Sequence, residues 1–107
     1  TAVRVPVMGG HSESINLTLE KSFDLIEVKK LLAQSKGIIL EDDPENFKYP
    51  MPINARGKDE VFVGRIREDF SCENSLNLWV VSDNLRKGAA TNAIQILETI
   101  ISKGFIS

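Results

Sequence analysis

Leu76-Asn77-Leu78-Trp79-Val80-Val81-Ser82-Asp83-Asn84 is the stretch on which the fold turns. Leu76, Leu78 and Val80 alternate with Asn77, Trp79 and Val81, and towards the end both registers are apolar. Successive side chains of a strand point to opposite faces, so this strand is covered on both and belongs in the middle of a sheet. Ser82-Asp83-Asn84 carries turn chemistry and ends it. Asn84 stands where a buried strand meets a helix, a frequent ligand position, although a plain turn asparagine has the same spacing.

Working outward, Val61, Val63 and Ile66 predict a strand ending near Asp69, with Gly64 marking a bulge. Phe70 to Asn74 is the turn joining it to Leu76. A helix is expected from about Gly88 to Lys103, with Ala90, Ala93, Ile94, Leu97, Ile100 and Ile101 as a broad apolar stripe and Gly104 closing it. Val3, Val5 and Val7 suggest a short strand, with Pro6 marking an edge. Ile15, Leu17 and Leu19 suggest a second strand, after a turn at Gly9-Gly10 that presents His11. Asp24 can cap a helix from about Leu25 to Gln34, with Phe23 as its staple, Leu25, Val28, Leu31 and Leu32 as its stripe and Gly37 as its stop. Ile38-Ile39-Leu40 is a short buried strand. Glu41 to Lys58 reads as a loop, with Tyr49-Pro50-Met51-Pro52 extended; a loop this long in a compact domain is often an arm or a binding element. The order β-β-α-β-loop-β-β-α predicts an α+β fold, helices on a mixed, largely antiparallel sheet.

The 107 residues form one small domain, 42% hydrophobic and 26% charged, with a formal net charge of −2. That is globular composition, with no long-range attraction to nucleic acid or anionic lipid and no apolar run long enough to cross a bilayer. Neither nucleic acid nor membrane is expected as a partner. A single cysteine, Cys72, allows no internal disulfide and suits a reducing cytoplasm. No initiator Met stands at the start, and the chain opens inside a strand pattern, so a fragment of a longer protein is expected.

The chemistry concentrates in Arg4-Val5-Pro6-Val7-Met8-Gly9-Gly10-His11-Ser12-Glu13. His11 is the only histidine, and an imidazole is the side chain best suited to proton transfer near neutrality. Arg4 offers a planar fork of donors to a carboxylate or phosphate, although an isolated His and Arg can also be incidental. Cys72 invites pairing with His11, but it falls in a turn among acidic neighbours, which disfavour a thiolate, and it is read as non-catalytic. One His, one Cys and scattered carboxylates do not make a zinc site, and Asp42-Asp43 reads as turn chemistry rather than a calcium pair. Arg65, Arg67 and Glu68 read as a solvated or subunit-facing stripe. Arg86-Lys87-Gly88 before the last helix could meet an anion or simply be a solvated connection. No glycine-rich dinucleotide fingerprint is present.

Three blocks taken together are more specific than any motif alone. Arg4-Val5-Pro6-Val7…Gly10-His11-Ser12-Glu13, Gly57-Lys58-Asp59-Glu60-Val61-Phe62-Val63-Gly64-Arg65-Ile66-Arg67 and Asn77-Leu78-Trp79-Val80-Val81-Ser82-Asp83-Asn84-Leu85-Arg86-Lys87-Gly88-Ala89-Ala90 resemble aspartate-β-semialdehyde dehydrogenase, in the family's order over nearly the whole chain. The resemblance implies part of a glyceraldehyde-3-phosphate-dehydrogenase-like C-terminal domain, residues 1–107 being the C-terminal portion of the catalytic and dimerisation domain. It also implies an NADP-dependent, phosphorylating enzyme that reductively dephosphorylates L-aspartyl-4-phosphate to aspartate semialdehyde, releasing phosphate, for lysine, methionine and threonine synthesis. By the same resemblance, Arg4 grips the substrate α-carboxylate, His11 is the acid/base partner of a catalytic cysteine, and Asn84 contacts the cofactor near its nicotinamide.

This chain lacks the family's cofactor-binding domain, its catalytic-cysteine segment and its phosphate-binding residues. Alone it is expected to be inactive. A homodimer or homotetramer is implied, with the Val61–Arg67 and Leu76–Val81 strands as candidate contacts. The competing expectation is a free-standing, non-catalytic α+β module that binds a small ligand or dimerises.

Overall fold

A computed structural model describes residues 1–3 and 5–105. Five strands, β1 (Ala2–Val3), β2 (Gly10–Thr18), β3 (Ile38–Leu40), β4 (Val61–Glu68) and β5 (Ser75–Asp83), form one sheet in the order β1-β2-β5-β4-β3. Only the β3–β4 pair is parallel. The fold is therefore α+β on a mixed, largely antiparallel sheet, with β5 at its centre.

The doubly apolar pattern of β5 is matched by a cover on each face. On one, Val63, Ile66 and Leu76 pack with Leu78 and Val80 under Leu25, Val28 and Leu32 of helix α1 (Leu25–Gln34). Asp24 caps this helix, its carboxylate accepting from the backbone N–H groups of Ile26 and Glu27. Leu31, expected in the buried stripe, is 67% exposed, because the sheet is met by the Leu25–Val28–Leu32 side of the helix.

On the other face the cover is the long loop. Phe62 and Val81 pack with Ala55, and Trp79 donates its indole N–H to the Pro50 carbonyl at 3.1 Å. The loop contains a short helix, α2 (Pro52–Ala55), that the proline-rich spelling concealed: Pro52 is at the start of the helix, where a proline loses no hydrogen bond. The loop passes close against β4 at Gly64, where a Cβ would lie 2.1 Å from the Glu41 carbonyl oxygen and 2.5 Å from Pro50. Register slips between Gly64 and Arg67, with Arg65 at φ 51°, so the expected bulge is present.

Three expectations are corrected. The alternation at Val3, Val5 and Val7 gives a strand only at Ala2–Val3, since Pro6 has no N–H for a ladder. The second strand begins at Gly10, so His11 lies within β2 instead of on a turn before it. The last helix opens as a π-helical turn (Arg86–Ala90) and becomes α-helical only in α3 (Thr91–Ser102). The apolar stripe of α3 is not covered by the described residues: Ile94 is 59% exposed, and Leu97 and Ile101 are also open.

Candidate functional site

β2 and β5 pair so that Gly10 faces Asp83 and His11 faces Ser82. The ring of His11 stands between two side chains more than seventy residues away. Its Nδ1 is 2.7 Å from Asn84 Oδ1, and its Nε2 is 3.0 Å from Ser82 Oγ. Ser82 is buried, His11 half-buried and Asn84 exposed, so the triplet runs from the sheet interior to the surface. It borders an open cleft of about 560 Å³, lined also by Val3, Val5, Val7 and Gly88.

The backbone around the ring is held closely. Gly9, at φ 84°, makes the turn before β2, and its carbonyl accepts the Asn84 N–H at 3.0 Å. Side chains at Gly9 and Gly10 would press on Arg56 and on Pro52, at 3.1 and 3.0 Å. Gly88, in the π-helical turn, lies so close to the imidazole that a Cβ there would sit 3.0 Å from His11 Cε1. The wider turn brings a backbone without a side chain against the histidine.

Asp83 anchors this arrangement and is only 6% exposed. One carboxylate oxygen accepts the N–H of Gly57 at 2.8 Å, and the other accepts those of Leu85 at 2.8 Å and Arg86 at 2.9 Å. These bonds, that from Gly57 foremost, hold its pKa below the ordinary carboxylate value. Asp83 thereby ties the long loop to the start of the π-helical turn. Sequence reasoning took Ser82 and Asp83 only as strand terminators; the Asp83 bonds to Leu85 and Arg86 are local turn chemistry, but its bond to Gly57 and the contact of Ser82 with His11 are non-local, and no spacing rule reveals them.

Of the residues singled out in sequence, His11 and Asn84 come together in this cleft. Arg4 lies outside the described residues. Cys72 is exposed on the turn at the opposite end of β5. Arg86 is paired with Asp59 at 2.9 Å, which raises the guanidinium pKa and lowers that of Asp59, and Lys87 donates to Gln95 at 2.7 Å. Both cations of the Arg86-Lys87-Gly88 triplet are thus engaged within the chain. Asp43 accepts from the backbone and side-chain amides of Asn46, as turn chemistry requires, and Asp42 pairs with Lys29 at 2.7 Å. Among the described residues no group of three His, Cys, Asp or Glu side chains could hold a metal ion. Among the described residues, no helix is long and apolar enough to cross a membrane.

Residues 1–87 match the family model described as semialdehyde dehydrogenase, dimerisation domain. The chain belongs to that family. Its relatives include an aspartate-semialdehyde dehydrogenase of Aquifex aeolicus, 54% identical over 99% of this chain and 31% of that protein. Among solved structures, aspartate semialdehyde dehydrogenase II of Vibrio cholerae complexed with ASA is 43% identical, with a TM-score of 0.80 over 94% of this chain and 30% of that one. The Candida albicans aspartate semialdehyde dehydrogenase with NADP is 31% identical, with a TM-score of 0.70 over 96% of this chain and 33% of that one. The chain spans about a third of the length of these family members.

Proposed function

We propose that the chain is the C-terminal portion of the catalytic and dimerisation domain of an NADP-dependent, phosphorylating aspartate-semialdehyde dehydrogenase. In this reading it supplies His11 as acid/base, Arg4 as the clamp for the substrate α-carboxylate and Asn84 as a cofactor contact. The observation that carries the reading is the placement of the only histidine at a cleft, held on both ring nitrogens by β5 and its end.

His11 takes the proton of a thiol contributed by a segment outside this chain, and returns a proton as the acyl intermediate is processed. A bidentate guanidinium at Arg4 would fix one end of L-aspartyl-4-phosphate and orient its acyl carbon. The Asn84 side chain fits a carboxamide partner: with Oδ1 on His11, its Nδ2 is a donor at an exposed edge of the cleft. NADPH, when bound, supplies the hydride. The reaction feeds lysine, methionine and threonine synthesis, a cytoplasmic setting.

A homodimer or homotetramer built through this domain completes the proposal, since the matching family model is a dimerisation domain. Phe62, Val63, Ile66, Leu76 and Val81 are buried within the chain, so β4 offers a partner its exposed Arg65, Arg67 and Glu68 rather than its apolar residues.

The test is steady-state kinetics of the full-length protein. His11→Ala should lower kcat by about 10²–10⁴-fold, the usual worth of a positioned acid/base. Arg4→Ala should act chiefly on substrate KM, and the purified 107-residue chain should show no NADP-dependent turnover. Near-normal kcat for His11→Ala removes the acid/base assignment, and robust turnover by the chain alone removes the reading of it as part of a larger site.

A further inference from the structure

We propose that Asn84 is a positioning residue for His11, fixing which ring nitrogen carries the proton in the neutral imidazole. The inference rests on His11 being the acid/base of the proposed reaction, and it assigns to Asn84 a task separate from touching the cofactor.

An amide oxygen has no proton to give. At 2.7 Å from Nδ1 it requires that nitrogen to be the donor, so the neutral ring carries its proton on Nδ1. Nε2 is left bare, the ring nitrogen able to accept a proton. Its partner, Ser82 Oγ at 3.0 Å, suits both states, because a hydroxyl donates to a bare Nε2 and accepts from a protonated one by rotating. Ser82 is buried and sits directly across the β2–β5 ladder from His11, so it keeps Nε2 satisfied in either protonation state. Free histidine in water prefers the opposite neutral form, with the proton on Nε2, and that form would present a donor where a general base is needed.

The Asn84 amide is placed for this task by the main chain. Its own N–H is bonded to the Gly9 carbonyl, and the preceding Asp83 is anchored by three backbone amides. Gly88 lies on the Cε1–Nδ1 side of the ring, where a Cβ would sit 3.0 Å from Cε1, so its missing side chain leaves the imidazole room to reach Asn84.

The experiment is long-range ¹H–¹⁵N NMR of the full-length protein, labelled with ring-¹⁵N histidine, above the pH at which the ring is neutral. The His11 signals are identified by their loss in His11→Gln. The wild type should show a protonated-type Nδ1 and a bare-type Nε2. Asn84→Ala should shift the population towards Nε2–H, and Asn84→Asp, which keeps an acceptor at the same place, should restore Nδ1–H. Ser82→Ala should leave the proton on Nδ1. A wild-type ring protonated on Nε2 overturns the proposal, since the amide would then present its NH₂ group to the ring, and so does an unchanged Nδ1–H form in Asn84→Ala. The spectrum reads the tautomer without turnover, so loss of the acid/base assignment in the kinetics of His11→Ala is a separate outcome.

Discussion

The two ends of the β2–β5 pair carry similar polar chemistry and put it to different use. At the end near the Asp69–Asn74 turn, Asn16 donates to Asp69 at 2.7 Å and to Asn77 at 3.0 Å, and Thr18 meets Ser75 at 2.8 Å. Asp69 also accepts the backbone N–H and hydroxyl of Ser71. At the other end stand His11, Ser82, Asp83 and Asn84. The first cluster closes on itself and caps a turn. The second opens onto a cleft, contains a titratable ring and is anchored by a buried carboxylate that reaches two separate segments. A hydrogen-bonded cluster at a strand end is thus not by itself a site; the difference lies in what remains to be offered to a ligand.

The anchor gives the largest contrast. Asp83→Ala would remove three bonds from the N–H groups of Gly57, Leu85 and Arg86 to a buried carboxylate, each worth about 1.5–3 kcal/mol as a bond to a charged group. A loss of several kcal/mol in denaturant unfolding is expected. Asp69→Ala, whose partners can turn to water, should shift the midpoint only slightly. Equal effects would erase the distinction between the two ends.

Acid should separate the ends in the same sense. Asp83 and Asp69 both have folded pKa values below the ordinary 3.8, Asp83 through Gly57 and the amides of Arg86 and Leu85, Asp69 through Ser71 and Asn16. A carboxylate lowered on folding contributes stability in full above its unfolded pKa, and that contribution is lost as pH falls through the folded value. Stability should therefore decline below about pH 4, and Asp83→Asn should flatten that decline more than Asp69→Asn, because the half-buried Asp69 is better screened by solvent than the buried Asp83. Unfolding curves between pH 2 and 5 check it. A steeper decline in Asp83→Asn would reverse the sign of the argument.

The fold was more legible in the sequence than the site was. The doubly apolar pattern of Leu76–Val81 marked the central strand because burial on both faces is a local property of side chains. Asp24 as a cap and Gly64 as a bulge were legible for the same reason. Gly9-Gly10 misled, because glycine signals freedom whether a turn or a close approach uses it. Here Gly9 makes the turn, while Gly10 pairs with Asp83 and leaves space for Pro52. The short helix at Pro52 was hidden by prolines that extend the chain before it and start a helix at it. His11 and Asn84 were singled out, but their contact depends on the β2–β5 register across 73 residues, Ser82 acquires its role only from that pairing, and Asp83 acquires its reach to the long loop only from the tertiary fold. The stripe of α3 is an amphipathic pattern that the described residues leave open.

Gly88 tests the site end more gently. An alanine there would put a methyl carbon 3.0 Å from His11 Cε1 and 3.0 Å from the Asp83 carbonyl oxygen, tighter than ordinary contact. The ring or the π-helical turn must yield by a few tenths of an ångström. In the full-length protein we expect kcat to fall about tenfold, short of the hundredfold that a 1 Å misplacement of a reacting group can cost. Thermal unfolding should show that the variant remains folded. Unchanged kcat would mean that the close approach of Gly88 does not hold the imidazole.

The smallest effect belongs to the opposite turn. Cys72 is free and exposed there, with the length of β5 between it and Asn84. Cys72→Ser in the full-length protein should leave kcat and KM within about twofold, in the range of surface changes worth under about 0.5 kcal/mol. If its loss abolished turnover instead, the nucleophile partnered by His11 would have to be sought at the wrong end of the strand. The contrast between the two ends would then fail together with the reading that the catalytic thiol comes from outside this chain.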